Sequence, residues 1–107
     1  MSGDLGALVV WITAPPDLAP TLARSIIEAR LAACVAITPI RSIYRWQGQT
    51  HDEPEVQLVV KTSSARFESL RAHVRANHTY QLPEILALPV VEADREYLAW
   101  LKADSGG

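Results

Sequence analysis

A single cysteine, Cys34, stands among the 107 residues of the chain. No disulfide can form within it, so the fold must rest on packing and hydrogen bonds. A lone thiol suits a reducing compartment, and a cytoplasmic protein is expected. Charge of one sign is not in excess either. Ten Lys and Arg against twelve Asp and Glu give a formal net charge of −2, with acids and bases interleaved and no basic stripe. That balance argues against nucleic acid as the main partner. Long hydrophobic runs are missing as well. The first apolar run, residues 8–12, follows MSGDLG, which has no basic segment, so neither a signal peptide nor a membrane span is expected. The short motifs of common catalysts are absent: no GxGxxG, P-loop, CxxC or HExxH, no EF-hand spacing and no Gly-Ser elbow. Nothing in the sequence specifies an enzyme, and no internal repeat, low-complexity stretch or linker divides the chain.

Hydrophobic residues make up 49% of the chain, enough for the core of one compact domain. The domain is expected to span residues 1–107, with 1–6 and 103–107 as flexible termini. The first strand is LVVWIT, residues 8–13, largely apolar on both faces. Pro15 and Pro16 stop it, and Asp17 is the expected N-cap of a first helix. Leu22, Ile26, Ala29 and Ala33 recur on that helix at core spacing, while Arg24, Glu28 and Arg30 fall on its solvated side. A second strand over 34–46 carries Pro39 in its middle, which calls for a bulge or an edge position. The polar segment QGQTHDEPE reads as a turn, and a third strand over 55–62 completes a long β-hairpin. Ser63 or Ser64 is the expected cap of a second helix running to about Asn77, with Phe67, Leu70 and Val74 inward and Arg66, Arg71 and Arg75 outward. Asn77 ends it by tolerating the left-handed conformation. HTYQLP is a loop, residues 85–90 a short fourth strand, and Asp94 caps a last helix in which Tyr97, Trp100 and Leu101 share a face.

The order is βαββαβ plus a C-terminal helix. This is the α+β, ferredoxin-like split βαβ arrangement, in which both crossover helices cover one face of a four-stranded sheet. The other face stays open, and here residues such as Val9, Trp11 and Val59 leave it partly apolar. A monomer should not leave that much apolar surface in water, so a closed oligomer is expected.

Four segments carry a family resemblance: RLAACVAITPIRSIYRWQG (30–48), EVQLVVKT (55–62), HTYQLPEILALPV (78–90) and EYLAWL (96–101). Their order and register resemble the CutA family of divalent-cation tolerance proteins. The resemblance implies a PII-like homotrimer in which the sheets face one another and the long hairpin reaches a neighbour. It implies a role in tolerance of, or response to, divalent cations such as copper, with weak metal binding as part of it and no obligatory cofactor. The alternative it raises is a small-ligand sensor or adaptor with a cleft between subunits. Itself, a metal ion or a small ligand are then the expected partners, with no nucleic acid and no membrane. The family motif around His78 typically reads His-Pro-Tyr, sometimes with a second histidine before it. This chain has Thr79 and Asn77 at those places, and Ile12 where some relatives place a cysteine ligand.

Candidate site residues follow. His78, past a helix end, is the first candidate for a metal contact; the competing reading has it bonding a backbone carbonyl or Glu84 to order its loop. Cys34 is the second candidate ligand, set against plain packing among small apolar neighbours. His51, Asp52, Glu53 and Glu55 form either a weak hard-cation site or a solvated turn. His73 is expected to face out of its helix without a role. Tyr44, Trp46, Tyr80, Tyr97 and Trp100 lie in segments that converge in the family fold, with Lys61 and Glu84 nearby, as an intersubunit cleft or an interface. An enzyme using Cys34 or His78 is the last reading.

Overall fold

The computed structural model describes residues 5–106. In chain order these form β1 (Ala7–Ala14), α1 (Ala19–Glu28), β2 (Cys34–Trp46), β3 (Gln49–Ser63), α2 (Phe67–Asn77), β4 (Ile85–Pro89) and α3 (Arg95–Asp104), with a 3₁₀ turn at Ser64–Arg66 leading into α2. The sheet order is β2-β3-β1-β4, with every neighbouring pair antiparallel. This is the expected split βαβ topology.

Strand alternation assigns each residue a face. On the helix-covered face, Val10 sits opposite Val60 and Ile12 opposite Leu58. These four have no exposed surface, and they pack with Leu22 and Ile26 of α1 and Leu70 and Val74 of α2. Burying each such side chain is worth about 1.5–3 kcal/mol. Ala29 does not join them. The helix ends at Glu28, and Arg30 takes a left-handed φ of 60°. The amides of Arg30 and Leu31 bond back to Ile27 and Ile26, a closing motif that satisfies the last carbonyls. Leu31 and Ala32 fill the core in place of Ala29 and Ala33.

The β2–β3 hairpin is longer than its apolar pattern suggests. Gln47 and Gly48, both at positive φ (51° and 77°), form a two-residue turn, whose twist suits a hairpin. Pairing then runs unbroken from Trp46–Gln49 to Cys34–Lys61. The polar residues 49–54 belong to β3, not to a turn. No bulge occurs at Pro39, because β2 is an edge strand. Pro54 is accommodated because the pairing of β3 with β1 stops at Val56, so that stretch of β3 has a free edge too.

The capping expectations hold only for α3, where Asp94 accepts the Tyr97 amide at 3.0 Å. Asp17 caps nothing. The amides of Leu18 and Ala19 bond the Pro15 carbonyl instead, and α1 starts at Ala19. Ser63 precedes the 3₁₀ turn and Ser64 opens it, neither with a side-chain cap, and their hydroxyls are buried without partners among the described residues. Asn77 remains helical and returns its side-chain amide to the His73 carbonyl. His73 does not simply face outward: its Nε2 lies 2.9 Å from Ser25 Oγ and ties α2 to α1. Ser25 gives its own proton to the Leu22 carbonyl, so the serine is not activated by the imidazole.

The C-terminal end is held, at least to residue 106. Arg66, expected in solvent, donates to the carbonyls of Ser105 and Gly106, and Ser105 is fully buried. Gly106, at φ 79°, lies against the Arg30 carbonyl, which a Cβ there would overlap. The calls on residues 1–4 and 107 lie outside the described residues.

Gly48 also has a positive φ but open space around it. Gly48→Ala should therefore cost about 1 kcal/mol from backbone strain alone. Gly106→Ala should cost more, about 2–3 kcal/mol, in thermal denaturation at equal protein concentration. Equal effects would mean the C-terminal segment is not seated against Arg30.

Candidate functional site: a covered cavity on the open sheet face

Residues 78–84 leave α2 and cross the open face of the sheet before β4 begins. His78 fixes the start of this loop. Its Nε2 is 2.8 Å from the Thr13 carbonyl, and its Nδ1 accepts the Tyr80 amide at 3.0 Å. An amide donor at Nδ1 requires an unprotonated nitrogen there, so Nε2 carries the proton and donates to Thr13. The ring also lies against Tyr80, with centroids 4.7 Å apart. Tyr80 continues the anchoring, its phenol donating to Glu55 Oε2 at 2.5 Å. Glu55, in β3, is only 6% exposed.

Beneath and beside this loop is a cavity of about 450 Å³. Its walls are Thr13 at the end of β1, Ser42, Ile43, Tyr44 and Trp46 of β2, Glu55 of β3, and Tyr80, Gln81, Leu82 and Glu84 of the loop. Charge within it is one-sided. Burial, with the Glu55 charge adding to it, raises the Glu84 carboxyl above its usual range. The protonated form is thus favoured by folding. That contribution is complete below the ordinary glutamate pKa and is lost as pH rises through the raised one. The Tyr80 phenol is pushed up by burial and by its bond to Glu55. Tyr44 donates to Glu53 at 2.6 Å, and that bond pushes its phenol to about 12.

The structure thus gathers Tyr44, Trp46, Tyr80 and Glu84 of the expected cleft. Lys61, Tyr97 and Trp100 form a second group within the same subunit. Lys61 Nζ is 3.5 Å from the Tyr97 hydroxyl and 5.8 Å from its ring centre, and Tyr97 meets Trp100 at 5.4 Å. Cys34 is partly exposed on the edge strand, opposite Lys61. The hairpin acids are dispersed. His51 stacks on Tyr44 at 5.1 Å. Asp52 accepts from Nε and Nη2 of Arg41 at 2.8 and 2.6 Å, which holds its carboxyl below the usual range. Glu53 and Glu55 serve the two tyrosines.

Glu55 as a buried wall, and Thr13, Ser42, Ile43, Gln81 and Leu82 beside it, were not singled out from sequence. The alternation of β3 places Glu55 on the face of Gln57 and Val59, but nothing local signals that a distant loop covers it.

As a metal centre the arrangement fits poorly. Among the described residues no three His, Cys, Asp or Glu side chains are grouped to hold an ion. Both ring nitrogens of His78 are already engaged, and Ile12, at the place of a ligand in some relatives, is fully buried in the core. Copper wants several nitrogen or sulfur donors in one set.

Comparison with known proteins agrees with the topology. The family model described as CutA1 divalent ion tolerance protein matches residues 8–104. The divalent-cation tolerance protein CutA of Thermus thermophilus is 49% identical over 100 residues, 92% of this chain and 97% of its own length. The apo structure of the PII-like protein CutA from a Nostoc species is 32% identical, with a TM-score of 0.89, covering 92% of this chain and 96% of that one. A structure from Archaeoglobus fulgidus, described as a periplasmic divalent cation tolerance protein CutA, is 36% identical, with a TM-score of 0.89 over 92% of this chain and 98% of that one. A match across nearly the whole chain in sequence and fold shows that it belongs to the CutA1 divalent ion tolerance protein family.

Proposed function

We propose that this protein serves divalent-cation tolerance as a homotrimer that binds a small ligand in a cleft, and that its direct contact with copper or other divalent cations is weak. The observation that carries this reading is the aromatic-walled cavity under residues 78–84. Its size and its few polar groups suit a small molecule. The PII-like description of the Nostoc relative supports the same form.

The trimer supplies what the subunit lacks. Trp11, Leu86 and Leu88 are 40%, 57% and 43% exposed on the open face, and Trp11 and Leu86 sit side by side in the pairing of β1 with β4. A closed symmetric assembly covers such a surface without leaving a free copy of it. The proposed compartment is the cytoplasm, in keeping with the unpaired Cys34. Among the described residues no helix is long and apolar enough to cross a membrane, and the Archaeoglobus relative is described as periplasmic. The proposed role is not enzymatic: the Ser25–His73 contact has its serine proton directed to Leu22.

A second reading, direct metal binding at His78 or Cys34, keeps its place only as a weak property. A cation at His78 must displace the Thr13 or the Tyr80 hydrogen bond.

Light scattering at micromolar concentration should give a trimer, and Trp11→Asp should shift it toward smaller species. A stable wild-type monomer would contradict the assembly. A thermal-shift screen of metabolites should find a stabilising compound whose effect is lost in Trp46→Ala; a screen in which no compound acts through the cavity would contradict the ligand reading.

Calorimetry with Cu²⁺ should show weak binding. His78→Ala should remove it and lower stability by about 1–3 kcal/mol, because the Thr13 carbonyl and Tyr80 amide lose their partner. Tight Cu²⁺ binding that depends on His78, or on Cys34 as shown by alkylation, would reverse the order of the two readings.

A further inference from the structure

The cavity's walls identify the chemistry of its occupant. Two carboxylates, Glu55 and Glu84, face it, and no Lys or Arg is among its lining residues. Glu55 is nine-tenths buried, yet its one partner among the described residues is the neutral phenol of Tyr80, held at Oε2. Neither glutamate has a basic partner among the described residues. A buried carboxylate without a counter-charge is costly; burial, with the Glu55 charge adding to it, raises the Glu84 carboxyl.

The cations of the β2–β3 hairpin are otherwise placed. Arg41 is held by Asp52 at 2.6 Å. Lys61 lies against Tyr97. Arg45 alternates to the opposite strand face from Tyr44 and Trp46. The remaining walls are the aromatic side chains of Tyr44, Trp46 and Tyr80, with Ile43 and Leu82. Uncompensated carboxylates beside aromatic rings attract a cation twice, by charge and by the ring faces.

We propose that this cavity binds a small organic cation, an amine whose ammonium group meets Glu55 and Glu84 and whose apolar body lies among Tyr44, Trp46 and Tyr80. This rests on the small-ligand reading above and names the class of that ligand. A bare metal ion is the poorer match. Hard divalent cations take six or more oxygen ligands at close range, whereas this space is about 450 Å³ and largely walled by carbon. An ammonium on an apolar body uses both kinds of wall.

Three molecules of nearly equal shape test it: tyramine, its neutral alcohol tyrosol and its anion 4-hydroxyphenylacetate. Calorimetry on the assembled protein should show tyramine binding at least tenfold more tightly than tyrosol, with no measurable binding of the anion. Glu84→Gln should reduce that preference at least fivefold. Glu55→Gln should do the same, and Glu84→Gln serves alone if the more buried change impairs folding. Tyrosol or the anion binding as tightly as tyramine, with loss in Trp46→Ala, would overturn the cationic class and leave the small-ligand reading intact. Failure of all three to bind would also overturn the cationic class, whereas only the wider screen returning nothing that acts through the cavity would remove the ligand reading itself. A structure of the assembly with a neighbouring copy's Lys or Arg between the two glutamates would overturn it too, since the counter-charge would then come from the protein.

Discussion

The imidazole of His78 donates from Nε2 to the Thr13 carbonyl and accepts the Tyr80 amide at Nδ1. These two bonds tie the segment after α2 to the end of β1, and the Tyr80–Glu55 bond ties the same segment to β3. Without them residues 78–84 would have no fixed position over the sheet, and the cavity would have no cover. One neutral side chain therefore sets the site, and a metal can reach its nitrogens only by displacing one of these two bonds.

The sheet explains why a cavity forms on that face at all. Its helix-covered side is filled at the centre by Val10, Ile12, Leu58 and Val60 under α1 and α2. The open side is crossed only by the loop and approached by α3, and it carries Trp11, Leu86 and Leu88 partly in solvent. The hairpin extends beyond β1, so Tyr44 and Trp46 rise past the end of the central strands and wall the space beneath the loop. The proposed assembly and the proposed ligand thus draw on the same exposed face.

Much of this was legible in the sequence. The apolar pattern of residues 8–13 and 56–62 located both central strands, because each is buried on at least one face. The first half of β3 was missed for the opposite reason: residues 49–54 pair only with β2 and stand largely in solvent, so no apolar alternation marks them. Asp17 and Ser63 had the right chemistry for caps, but backbone bonds serve those helix starts instead, and Asn77 stays helical with its side chain on the His73 carbonyl. At the site, the aromatic members Tyr44, Trp46 and Tyr80 were recognisable through their segments. Glu55 was read only with the hairpin acids, as a weak cation site or a solvated turn, since its burial depends on Tyr80, twenty-five residues away in sequence. The grouping of Lys61, Tyr97 and Trp100 with them does not occur within one subunit, where α3 holds the two rings against Lys61.

Nitrogen-15 NMR of the histidine rings tests the central claim most directly, with and without one equivalent of Zn²⁺ as a diamagnetic probe. The account predicts a neutral His78 ring with its proton on Nε2 and an unprotonated Nδ1, with one equivalent of Zn²⁺ leaving most of the ring in that form. A proton on Nδ1, or His78 resonances saturated by one equivalent of Zn²⁺, would contradict it.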